Sequence, residues 1–116
     1  MISETIDQFE FKLKENCFFL SLMPWLQTKK QDYEIELIKI PKEIATTLCT
    51  KNHNEIIIVT EGCGGITING KSALIKFGDI ISVPPHSIRS IANIENIQLE
   101  VISIKSLVSE WKLLDL

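Results

Sequence analysis

The chain has 116 residues, a formal net charge of -3 and 45% hydrophobic residues. That length favours one domain, 1–116, around a single core, and that hydrophobic share excludes general disorder. Acids and bases are spread along the chain with no basic cluster to follow a phosphate backbone, so nucleic acid is not an expected partner.

The opening "MISETIDQFE" is acidic, unlike the basic start of a signal peptide. "QFEFKLKE" alternates Phe9, Phe11 and Leu13 with Glu10, Lys12 and Lys14, the period-two mark of a strand with one wet face. The apolar run "CFFLSLMPWL" is far short of the roughly 18 residues of a membrane span, and Pro24 interrupts it. No membrane partner is expected. The aromatics of this run offer a face for a homodimer, or pack against the chain's own core. "YEIELIKI" starts with Tyr33, Ile35 and Leu37 in phase and shifts at Ile38, as at a bulge or in a strand buried on both faces. Pro41 ends it, because proline cannot donate to a ladder.

From Glu55 onward the pattern is regular. "EIIIVTEG" is a strand closed by Gly62, and "GITING" leads into the hairpin signal Asn69-Gly70. "KSALIKFGD" returns to Gly78-Asp79, and "IISVPP" stops at Pro84-Pro85. "SIRSIANI" and "NIQLEVISI" complete the set. Short strands with turns every ~8 to 12 residues predict an all-β antiparallel sandwich or barrel. In the tail "SLVSEWKLLDL", Ser109 caps a short C-terminal helix carrying Trp111 and Leu114, or the segment docks as a strand. Cys17, Cys49 and Cys63 are odd in number and widely spaced, with no Cys-x-x-Cys unit and no disulfide framework. They read as reduced thiols of a cytoplasmic protein.

Certain residues fall at telling intervals. Glu55 is followed after six residues by Gly62, and Gly78 after five by Pro84, with Asn93 further on. Fifteen residues, holding the Asn69-Gly70 hairpin, separate Gly62 from Gly78. This arrangement resembles the cupin superfamily. Its first motif reads Gly, five residues, His-x-His, three or four residues, Glu, six residues, Gly. Its second reads Gly, five residues, Pro-x-Gly, two residues, His, three residues, Asn. The resemblance covers residues 53 to 104 and implies a jelly-roll barrel of antiparallel strands. Pro24-Trp25 ahead of "DYEIELIKI", and "IQLEVISI" near the end, resemble the small cupin domain of mannose-6-phosphate isomerases fused to mannose-1-phosphate guanylyltransferases.

The resemblance implies a divalent metal held by three histidines and a glutamate. Counting back from Glu55, the first-motif histidines fall in "LCTK", Leu48 to Lys51. The second-motif histidine falls at Arg89, and His86 replaces the motif glycine. Cys49 could ligate a soft metal; a protonated Lys51 and a guanidinium do not. Two arrangements follow. Either His53, Glu55 and His86 form a rearranged metal site, or Glu55 pairs with Arg89 in place of a metal. The second expects no cofactor. It leaves a pocket in which Glu55, Arg89, His53, Lys51, His86 and Asn93 bind a small polar or anionic ligand. A sugar phosphate or sugar nucleotide of carbohydrate metabolism is the leading ligand. One alternative is a sugar-phosphate isomerase or epimerase, with Arg89 stabilising an enediolate and Glu55 or His53 as base. Another is a non-catalytic regulatory or oligomerisation module. A structural barrel should be filled by isoleucine and leucine, a binding barrel should keep a polar pocket, and an enzyme should add groups of shifted pKa.

Overall fold

The computed structural model describes residues 11–22, 33–94 and 98–107. They form ten strands: β1 (Lys12–Lys14), β2 (Cys17–Ser21), β3 (Tyr33–Ile40), β4 (Ala45–Cys49), β5 (His53–Glu61), β6 (Cys63–Ile68), β7 (Lys71–Lys76), β8 (Ile80–Val83), β9 (Ile88–Ala92) and β10 (Leu99–Leu107). Pairing is antiparallel in two sheets, ordered β1-β2-β3-β10-β5-β8 and β4-β9-β6-β7. This is the expected all-β architecture. Among the described residues no helix is long and apolar enough to cross a membrane. The expected helix after Ser109, and Phe9, Pro24 and Trp25, lie outside the described residues.

Local chemistry places the turns. Asn69 and Gly70 have φ of 49° and 84°, as a two-residue hairpin with positive φ at both positions requires. Gly62 has φ of 81°, and a Cβ there would stand 2.5 Å from the Gln98 carbonyl oxygen. Only glycine fits where β5 turns into β6. The phase shift at Ile38 is not a bulge, because β3 keeps a continuous register with both β2 and β10. It is a strand buried on both faces, with Leu37 and Ile38 both buried. The bulge lies in β5 at Thr60, where β10 steps from Glu61 opposite Glu100 to Val59 opposite Val101.

Two sequence readings change. Leu13 was expected on the dry face of its strand, yet it is 65% exposed, because β1 is a short edge strand. The strands β2 and β4 had no clear signal. β2 hides in the apolar run, where Cys17 and Leu20 are buried and Phe18 is exposed. The described half of that run therefore packs largely against its own barrel. The core lies between the sheets, where Ile38, Ile57, Val59, Leu99 and Val101 meet Ile66, Ile75 and Ile91. Full burial of each such side chain contributes about 1.5–3 kcal/mol.

Candidate functional site: the polar end of the barrel

Directly opposed residues in a sheet share a face. The rows of partners therefore trace the inner wall. Glu34, Lys105, Glu55 and Val83 lie side by side across β3, β10, β5 and β8. The next row holds Glu36, Ser103 and Ile57, and the next holds Ile38, Val101 and Val59. His53, two residues before Glu55, is on the same face. The inner wall is thus polar at one end and apolar at the other.

At the floor of the polar end, Arg89 reaches from β9 across to β5. Its Nε donates to Glu55 Oε1 at 2.8 Å and its second terminal nitrogen to Oε2 at 2.9 Å. Ser103 Oγ donates to Oε2 at 2.5 Å, and the remaining guanidinium nitrogen donates to the Thr46 carbonyl at 3.3 Å. Glu55 is 0% and Arg89 2% exposed. Burial by itself would raise the Glu55 pKa. The hydrogen bonds and charge of Arg89, with Ser103, override it and hold the carboxyl below its ordinary value. The expected Glu55–Arg89 pair is therefore present, and it clasps the two sheets together.

This donor set does not fit a metal. Both oxygens of Glu55 are engaged by protein donors, and a guanidinium does not ligate. The alternative set of His53, Glu55 and His86 is not brought together. His86 is exposed on the turn between β8 and β9, whereas Glu55 is fully buried.

His53 lies nearer the polar end than the pair, and beside the pair an ion pair at 3.5 Å joins Lys105 Nζ to Glu36 Oε1, both partly buried. The His53 Nε2 is buried with no hydrogen-bond partner among the described residues. Burial, followed by the charge of Lys105, lowers the His53 pKa against the opposing pull of Glu55 and Glu34. Lys51 is exposed on the turn after β4, and its carbonyl accepts the His86 N–H at 2.7 Å. Asn93 stands apart from this group. It is buried, its side-chain amide donates to the Ile40 carbonyl at 2.9 Å, and Ile40 pairs with Leu99 at the apolar end.

Sequence reasoning missed Glu36, Ser103 and Lys105. For Glu36 the signal was the phase shift of "YEIELIKI". Its first half was read with the apolar residues inward. In fact Glu34 and Glu36 face inward there, and the inner face turns apolar only at Ile38. Elsewhere an apolar groove of ≈ 570 Å³ runs along β6, β7 and β8 past Ile66, Leu74 and Ile80. A smaller hollow of ≈ 390 Å³ lies beside Cys63, Leu74 and Ile94. Neither is lined by Glu55, His53 or Arg89.

No protein-family model and no curated protein matches the chain. Solved structures do. A Cupin 2 conserved barrel domain protein from Salinispora arenicola superposes with a TM-score of 0.81 at 18% identity, over 99% of this chain and 96% of that one. The fold is the cupin jelly-roll barrel. A second match is an oxalate decarboxylase-like protein of Thermotoga maritima, with a TM-score of 0.77, 19% identity, and 92% and 100% of the two chains covered. A third is a sugar phosphate isomerase-like protein of Acidithiobacillus ferrooxidans, with a TM-score of 0.67, 23% identity, and 79% and 60% covered. The identities are low, and these likenesses establish the fold of the cupin barrel, not its chemistry.

Proposed function

We propose that this cupin barrel binds a small, polar, hydroxyl-bearing ligand without a divalent metal, a sugar phosphate or sugar nucleotide of cytoplasmic carbohydrate metabolism. The observation that carries the reading is the division of the inner wall. A barrel with a purely structural role has no use for the partly buried Glu36, His53 and Lys105 on the inner face, since polar groups there carry a desolvation cost. The Glu55–Arg89–Ser103 floor satisfies itself and serves as a rigid base. The Nε2 of His53 is covered and has no hydrogen-bond partner among the described residues, and an orphaned buried polar atom costs roughly 1–3 kcal/mol. A ligand that displaces the side chains covering that nitrogen and sets a hydroxyl on it would recover the bond. Lys105 offers donors and Glu36 acceptors beside it.

The isomerase reading, related to mannose-6-phosphate isomerases, keeps one supporting observation. A lowered pKa leaves His53 neutral and able to accept a proton. Glu55 and Arg89 are committed to each other and are not free for base and oxyanion roles. A homodimer belongs to the same proposal, supported by the exposure of Leu74, Phe77 and Ile80; a mass of 13.2 kDa by light scattering would remove it.

Thermal-shift and calorimetric titrations with hexose phosphates and sugar nucleotides test the reading. Ligand at about 100 times its Kd stabilises by about 2.7 kcal/mol. Lys105→Met and His53→Ala are expected to abolish that gain. If no hexose phosphate or sugar nucleotide stabilises the protein at millimolar concentration, the proposal falls.

A further inference from the structure

Three turns close the polar end of the barrel: residues 50–52 before β5, the hairpin 69–70, and residues 84–87 before β9. They are tied into one unit. Thr50 N–H donates to the Ser87 carbonyl at 2.8 Å, and Ser87 N–H donates to Thr50 Oγ1 at 2.8 Å. Asn69 donates to Ser87 Oγ at 3.1 Å and accepts from the Ile88 N–H at 2.9 Å. Two cationic or protonatable residues crown this unit. Lys51 has φ of 49° and His86 of 58°, a region that disfavours any residue with a Cβ. Other side-chain-bearing residues adopt positive φ as well: Glu15, Asn16 and Asn69 in two-residue hairpins, and Glu43 in the turn from β3 to β4. Lys51 lies in the turn closed by the His53 N–H on the Thr50 carbonyl at 3.0 Å, His86 follows Pro85 in a second turn, and the 2.7 Å bond from His86 N–H to the Lys51 carbonyl joins the two. Both are exposed. Among the described residues neither side chain has a hydrogen-bond or ion-pair partner, and none of the three turns carries a carboxylate.

We propose that Lys51 and His86 form a phosphate subsite on the rim. They receive the phosphomonoester end of a ligand whose hydroxyl-bearing part rests on His53 and Lys105 below. That lower contact rests on the function proposed above; the phosphate contact does not. A phosphomonoester carries about -1.5 to -2 charges at neutral pH. An ammonium acts on it as a point charge and an imidazole N–H adds a directional bond. Glycine would hold both backbone positions with less strain.

The test is a titration of the full-length ¹⁵N-labelled protein with inorganic phosphate, and separately with acetate, at constant ionic strength. The backbone amides of Lys51, Asn52, His86 and Ser87 should shift along a saturable curve with phosphate, with acetate at least tenfold weaker. Lys51→Gly and His86→Gly should keep or raise Tm while weakening phosphate at least tenfold. His53→Ala should leave the phosphate response unchanged. A linear response, an equal response to acetate, unchanged binding in the glycine variants, or a lower Tm in both of them overturns the subsite. Phosphate binding without any hexose phosphate effect on stability would remove the ligand reading and keep the rim. A neutral sugar that stabilises the protein while phosphate shows no saturation would do the reverse.

Discussion

Replacing Glu55 by glutamine keeps the shape of the side chain and removes its charge from beneath a guanidinium that is 2% exposed. The variant loses the charge-assisted character of both Arg89 bonds and of the Ser103 bond. It also turns one acceptor into a donor facing another donor. Removing one member of a buried pair costs roughly 3–5 kcal/mol, because the partner charge stays buried without compensation. That is a large part of the about 5–15 kcal/mol that holds a domain together. At this length each kcal/mol moves Tm by roughly 3–6 °C, so Glu55→Gln should melt about 10–30 °C lower. Arg89→Met should cost a similar amount with a distinct signature. Its buried carboxyl keeps only Ser103, its pKa rises above the unfolded value, and stability should now fall as pH rises. The double variant Glu55→Met with Arg89→Met should cost less than either single change, since no charge is left stranded. Urea denaturation followed by circular dichroism reads all three. Single variants within about 1 kcal/mol of wild type, or a double variant equal to the sum of the two, would show that the pair is not the clasp described.

Two further outcomes follow from the same geometry. In the wild type, the folded pKa of Glu55 is lowered, so its contribution is complete above the ordinary carboxylate value and lost as pH falls through the folded one. The folded pKa of His53 is also lowered, so stability should begin to fall as pH drops below the ordinary imidazole value of about 6.5; His53→Phe should remove that upper limb and leave the acid limb, as followed by Tm against pH. Gly62→Ala places a Cβ 2.5 Å from the Gln98 carbonyl oxygen at φ of 81°, a strain of roughly 1–3 kcal/mol; a denaturation midpoint equal to wild type would contradict the close approach.

Much of the fold was legible because its signals are local. The Asn69-Gly70 hairpin, the stop at Pro84 and the closing Gly62 each follow from what one or two residues permit the backbone to do. The spacing of Glu55 and Arg89 within a resembled pattern was enough to expect their pairing. Lys51, His53 and His86 were placed near the barrel mouth by the same pattern, and the structure sets them at its polar end, while Asn93 goes to the apolar end. Lys105 and Ser103 were not legible, and Glu36 only through the phase shift of β3. Each sits in a strand whose two faces both carry apolar residues, so periodicity alone did not say which face was inside.

The sequence by itself determined that the chain is built of short antiparallel strands and where those from Glu55 onward turn, and it offered the Arg89 guanidinium as one of two counterparts of Glu55. Only the tertiary structure decided which face of β3 and β10 looks inward, because that choice depends on the register of strands far apart in the chain. Burial is a property of the assembled sheets, and a one-residue change of phase exchanges core for site.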